Sequence, residues 1–253
     1  GIDYSGRETP TSRTPALQVY AAFDTEEPRR IISPSSTEKS YKNWCRKEIA
    51  QWLIEQAQKN ITFIAGIDHG FSFPISFFDR YKLRSWSQFL DDFCRHWPTD
   101  DDHTYVDFIR HREDGPPDRT GEPTDLRLTE KWTSSAKSVF KFDVQGSVAK
   151  STHAGLPWLR RIRAQVGDTV HFWPFDGWKV PADKSVIAEI YPAVFKNRFP
   201  REDRTADQQD AYCVARWLTE TDERGFLARY FQPSLTAEEQ NIADLEGWTL
   251  GIV

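Results

Sequence analysis

Ile61-Thr62-Phe63-Ile64-Ala65-Gly66-Ile67-Asp68 is the stretch whose reading decides the fold. A nearly continuous apolar run of this length, closed by Asp68-His69-Gly70, predicts a strand over Ile61–Ile67 that is buried on both faces, as strands of a parallel sheet are. Just upstream, Ser40 to Lys59 reads as a helix. Tyr41, Trp44, Cys45, Glu48, Trp52 and Gln56 trace its expected stripe, with Ile49 and Leu53 beside it and Asn60 as its stop. A helix leading into a buried strand is the crossover that parallel pairing requires, so Ile61–Ile67 is expected to lie parallel to an earlier strand.

Working back, the chain opens on a short strand of about Gly1 to Tyr4, halted by Ser5-Gly6. Leu17–Phe23 and Arg30–Ile32 read as two more strands, joined through the turn at Glu26-Glu27-Pro28. Three early strands with tight connections predict an antiparallel meander. Working forward, about 75–150 differs in character. Phe77, Phe78, Trp86, Phe89, Leu90 and Phe93 predict an apolar helix. Asp100-Asp101-Asp102 breaks it, Tyr105–Arg112 is helical again, and Asp114–Pro123 is a loop rich in Gly and Pro. This segment is read as a mainly helical insertion in one domain spanning 1–253. Beyond it, Leu156–Gln165 is expected to be helical, Val170–Trp173 and Ser185–Ile190 to be strands, and Arg204–Thr221 and Ala237–Glu246 to be helices. The order predicts an α/β fold: a mixed sheet, antiparallel first and parallel afterwards, flanked by helices.

Composition narrows the function classes. At 253 residues the chain can bury a sizeable core, and 10 Trp with 17 Phe make that core aromatic. Methionine is absent. No run approaches the roughly 20 apolar residues of a membrane helix, and no N-terminal signal pattern is visible, so a cytoplasmic protein is expected. Cys45, Cys94 and Cys213 are scattered and odd in number, which fits buried thiols and not a zinc site or a disulfide framework. A net charge of −5 is not that of a protein holding nucleic acid mainly by bulk electrostatics.

The chemistry concentrates in four aspartates. Asp3 and Asp68 each end a strand, where α/β sheets bind ligands. Singly, each is also an ordinary turn residue. Asp207 and Asp210 stand three apart in the first turns of a helix that Thr205 can cap, on one face with Ala211, Val214, Trp217 and Leu218. A helix dipole accounts for acids near an N-terminus, but not for two of them on the stripe that faces the sheet. Clustered carboxylates are the hard oxygen donors that Mg²⁺ or Mn²⁺ prefers, and two ions about 4 Å apart can drive phosphodiester cleavage.

Gly1-Ile2-Asp3, Gly66-Ile67-Asp68 and Ala206-Asp207-Gln208-Gln209-Asp210-Ala211, in this order, resemble the ribonuclease H-like superfamily, nearest its Holliday-junction resolvase branch. That branch carries acids at each of these places, with Glu where this chain has Asp68. Gly66–Pro74, Ala188-Glu189-Ile190-Tyr191-Pro192 and Glu246–Gly251 also resemble a bacterial and archaeal family of unknown function within the superfamily. The resemblance covers the sheet and the C-terminus, not 75–150. It implies a ribonuclease H-like sheet in which Asp3, Asp68, Asp207 and Asp210 are both metal ligands and catalytic residues, with DNA or RNA as partner.

Glu189, closing an apolar strand, either faces this acidic pocket or is solvated at an edge, and His69 is either a proton shuttle or a plain turn histidine. Lys150, Arg160, Arg161 and Arg204 are candidate phosphate contacts, or else solvated helix ends. Two rival readings stand beside the nuclease. A scaffold with a retained fold would leave the aspartates apart or paired with cations. An actin-like ATPase or kinase is suggested by Gly1–Gly6, but it usually needs two related domains and a glycine-rich adenosine motif, and neither is evident. Oligomeric state and substrate identity are not encoded in any motif of the chain.

Overall fold

The computed structural model describes all residues except 37–42, 114, 116 and 134, together with the side chain of Lys196. Six strands form one sheet in the order β3-β2-β1-β4-β6-β5: β1 (Ile2–Asp3), β2 (Gln18–Ala21), β3 (Arg29–Arg30), β4 (Ile64–Asp68), β5 (Val170–Trp173) and β6 (Ser185–Glu189). β1, β2 and β3 pair antiparallel, whereas β1–β4, β4–β6 and β6–β5 are parallel. The sheet is therefore mixed, antiparallel on one side and parallel on the other. The register sets Asp3 beside Asp68, and Ile67 beside Glu189.

Nine α-helices are described: α1 (Arg46–Gln58), α2 (Ile75–Tyr81), α3 (Trp86–His96), α4 (Val106–Arg110), α5 (Leu128–Lys131), α6 (Ala149–Val166), α7 (Ala206–Glu223), α8 (Leu227–Tyr230) and α9 (Ala237–Glu246). Strand alternation divides them between two faces. Ile2, Ile67 and Ile187 join a core with residues of α1, α3 and α6. Val186, Ala188 and Ile190 point the other way, into a core built on α7. The side chains of α2, α3 and α4 run into the first of these cores, so the segment between β4 and α6 shares the hydrophobic interior of the sheet.

Several boundaries differ from the sequence reading. Ser40 and Tyr41 of the expected first helix lie outside the described residues, as do Asp114 and Pro116 of the expected loop. The helix itself begins at Arg46 and buries Arg46, Ile49, Ala50, Leu53, Ile54 and Ala57, not the stripe through Glu48, Trp52 and Gln56. Trp44 and Trp52 still pack together, but a large aromatic is not a reliable marker of the inward face when small residues such as Ala50 and Ala57 do the close packing. The apolar helix expected across Phe77–Phe93 is two helices, broken at Lys82 in the left-handed conformation (φ 56°), with Ser85 capping the second.

Candidate functional site

The site is assembled by helices that approach the strands unusually closely. At Gly1, a Cβ would lie 2.1 Å from the Ala211 carbonyl oxygen and 2.7 Å from the Ala215 nitrogen; at Gly66 it would lie 2.8 Å from a Val214 methyl. Only glycine lets α7 settle onto β1 and β4 at this distance. Residues Gly1, Asp3, Gly66 and Asp68 alternate onto this face. α7 runs antiparallel to β1, so the contact at Val214 and Ala211 carries Asp210 and Asp207, earlier on the same helix, toward the ends where Asp3 and Asp68 emerge. Thr205 fixes the start of α7: its hydroxyl accepts from the Gln208 N–H (3.2 Å), and Gln208 Oε1 accepts from the Thr205 N–H (3.0 Å).

The four carboxylates bear on one another. Burial pushes the Asp3 carboxyl well above the usual carboxylate range, and the negative charges of Asp68, Asp207 and Asp210 push it further, against a modest opposing hydrogen bond from the Tyr4 N–H. All four are half-buried. The chemistry of the donor set suits a hard divalent cation. In the arrangement described, no three His, Cys, Asp or Glu side chains among the described residues already stand in coordinating positions, so holding an ion requires their side chains to close around it.

Glu189 does not belong to this group. It shares the face of Ile187, opposite α7, and is buried there. Its carboxylate accepts two bonds from the Arg127 guanidinium (2.7 and 2.5 Å), one from the Phe71 N–H (2.8 Å) and one from the Thr249 hydroxyl (3.0 Å). Burial alone would raise its pKa, but Arg127 overrides this and leaves it below the ordinary value. Arg127 also binds Glu130 (2.9 Å). The sequence reading missed Arg127; the available signal was a charge lodged between Leu126 and Leu128 with Glu130 three residues on.

His69 follows Asp68 at the end of β4. It lies buried between Tyr4 and Phe71, against Gly155 of α6, with Nδ1 2.9 Å from the Gly70 carbonyl oxygen. Burial lowers its pKa to about 4, which favours the neutral imidazole, and its packed position fits the turn-histidine alternative.

The basic candidates divide by place. α6 runs antiparallel to the parallel strands, so its first turns reach the aspartate end of the sheet. A Cβ at Gly6 would lie 1.9 Å from the Lys150 carbonyl oxygen, and the Gly70 N–H donates to Thr152 Oγ1 (2.9 Å). Lys150 is therefore near the site, bound to Asp107 (2.6 Å). Arg160 and Arg161 lie on the far half of the same helix, the first paired with Asp91 (2.7 Å) and the second over the Trp158 ring; neither belongs to the site. Arg204 is engaged in holding the lead-in to α7, bonding Gln209 Oε1 (2.8 Å) and the Pro200 carbonyl (2.6 Å) and stacking on Tyr212. Arg198 and Arg201 stand exposed on that connection.

Two clefts open at this end. The first is a crevice of about 30 Å³, lined by Asp68, Arg127, Glu130, Lys137, Gly146 and Glu189 among others. The second, about 460 Å³, lies between Tyr4–Arg7 and Phe142–Ser151. Arg46 builds its wall by donating to the carbonyls of Ser5 (3.1 Å), Arg7 (2.7 Å) and Glu8 (2.7 Å).

Compared with family models, characterised proteins and solved structures, the chain matches none. Among the described residues no helix is long and apolar enough to cross a membrane.

Proposed function

We propose that this protein is a divalent-metal-dependent nuclease built on a ribonuclease H-like sheet. The observation that carries the reading is the convergence of four separately encoded aspartates: among the described residues, the charged side chains acting most strongly on Asp3 are all acidic, and they come from β4 and α7. The strand arrangement supports the same reading. A central β1 sits between antiparallel β2 and parallel β4, the next inner strand is parallel, and the helix after it carries two acids. The scaffold reading with dispersed aspartates is disfavoured by their convergence on Asp3.

In this proposal Asp3, Asp68 and Asp210 hold Mg²⁺ or Mn²⁺, and Asp207 completes the negative field. The bound ion supplies charge neutralisation and an acidified water for phosphodiester hydrolysis. The protein's own part is to keep the carboxylates close in a half-buried place, where opposing charge is worth more than in bulk water. Glu189 and Arg127 hold the opposite face of β6 rigid, and they take no part in the chemistry. Incubation of branched and single-stranded DNA and RNA with the protein and Mn²⁺ tests this. Cleavage by the wild type that falls at least about a hundredfold in Asp3→Asn is expected. Equal cleavage by the two proteins, or none by either, contradicts it.

A further inference from the structure

We propose that Lys137, with Lys141 and Lys150, binds the phosphodiester backbone of a single nucleic-acid strand lying in the second cleft, at its junction with the first. This rests on the nuclease reading and names its substrate class and track.

The junction is specific. Gly146 lines both clefts, and the Lys137 ammonium donates to the adjoining Gln145 carbonyl, 3.6 Å from where a Cβ on Gly146 would sit. Lys137 is half-buried, and among the described residues no carboxylate pairs with it. A partly desolvated ammonium bonded to a carbonyl alone retains donors for an anion. Its neighbours along the chain have the same sign, although the crevice itself is also lined by Asp68, Glu130 and Glu189. Segment 131–151 contains Lys131, Lys137, Lys141 and Lys150 against a single acid, Asp143, a local charge of +3 in a chain whose net charge is −5. Asp143 is itself neutralised by Arg110 (2.5 Å).

The clefts also give the track its direction. Asp68 lines the first, and Tyr4–Arg7, the residues directly after Asp3, wall the second. A backbone lying in the second cleft with one phosphate at Lys137 therefore passes the residues that directly follow Asp3. In the second cleft the Phe142 ring is covered by the Arg110 guanidinium, Trp97 and His153, which leaves exposed Val144 and the polar wall Tyr4–Arg7 to face a ligand. A concave cleft of this size admits an extended single strand, whereas a duplex keeps its bases stacked inward and presents a convex backbone. DNA and RNA strands share this chemistry.

The test is fluorescence anisotropy with labelled oligothymidine and oligouridine of roughly 16 nucleotides, and with a hairpin duplex. The protein is the Asp3→Asn/Asp210→Asn variant in EDTA, so that neither cleavage nor metal contributes. Binding of at least one single strand is expected, with Lys137→Glu weakening it about tenfold or more, Lys137→Arg retaining it, and Arg160→Ala/Arg161→Ala leaving it unchanged. The Lys137→Ala variant should lower the slope of log affinity against log salt by about 0.7, the value for one lost phosphate contact on a single strand. The stronger of the two strands identifies DNA or RNA as the source. Unchanged binding in a folded Lys137→Glu protein, duplex bound as tightly as either strand, or no strand bound at all would overturn the proposal. Mn²⁺ titration of the wild type keeps the two readings apart. Absent strand binding in a protein that still takes up Mn²⁺ overturns the strand track alone, and absent Mn²⁺ uptake overturns the nuclease reading beneath it.

Discussion

Asp3 is the residue on which folding and the proposed metal-binding role pull in opposite directions. Its carboxyl is held above the ordinary range by burial and then by three neighbouring aspartates, so the folded state favours the protonated form. The sign follows from linkage. A raised folded pKa contributes stability that is complete below the unfolded value and is lost as pH rises through the folded value. Asp3→Asn should therefore melt higher than wild type at pH 8, by about 2–4 °C for each ~1 kcal/mol of repulsion removed, and the gap should close near pH 3. Melting curves across this range check it, and a variant less stable at pH 8 would contradict it. Glu189 has the opposite sign. With its pKa depressed by Arg127, it stabilises the fold above the usual glutamate range, and this is lost as pH falls through the lower folded value. Removing one partner of such a buried pair costs about 3–5 kcal/mol. Glu189→Gln should lose roughly that much by denaturant titration and still bind Mn²⁺. Loss of Mn²⁺ binding in a folded Glu189→Gln protein would place Glu189 in the site after all.

At the scale of elements, glycines decide how near helices come to strands. Gly66 admits Val214 of α7, and Gly6 admits the backbone of α6 at Lys150. Gly6→Ala meets a carbonyl oxygen that belongs to a helix and cannot move alone, so a loss of at least about 2 kcal/mol is expected. Gly66→Ala meets a methyl group instead; it should cost less stability but lift α7, weakening Mn²⁺ binding more than it lowers the melting temperature. Equal effects on both properties would contradict this division. These contacts also mark what the sequence could and could not convey. Apolar runs such as Ile64–Ile67 and Val170–Trp173 announce strands, and Thr205 with Gln208 announces the start of α7, because periodicity and capping are local. The same-face pair Asp207/Asp210 was legible for that reason. Whether Glu189 faced the acids was not: alternation assigns it to the face of Ile187, but which face carries α7 depends on chain crossover, and its partner Arg127 lies 62 residues away. Lys137 has no local signature, since its setting is made by the loop at Gly146.

Across the whole molecule, charge is separated. The aspartate ends of β1 and β4 meet the start of α7 on one side, while the lysine-bearing segment before α6 borders them on the other. An overall charge of −5 thus conceals a local basic border beside an acidic centre, and it is this border that a polyanion would approach. Affinity for nucleic acid should accordingly be modest and strongly dependent on salt. The region between β4 and α6 contributes both that border and, through Arg127, the brace on β6, so it shapes the clefts as well as the core. The central claim, that four aspartates from β1, β4 and α7 form one divalent-cation site, is tested most directly by calorimetric titration of Mn²⁺ into wild type and into Asp3→Asn at neutral pH. Saturable binding by the wild type, with proton release as the Asp3 carboxyl gives way to the ion, and its loss in Asp3→Asn is the predicted result. No saturable binding by the wild type, or equal binding by both proteins, would contradict it.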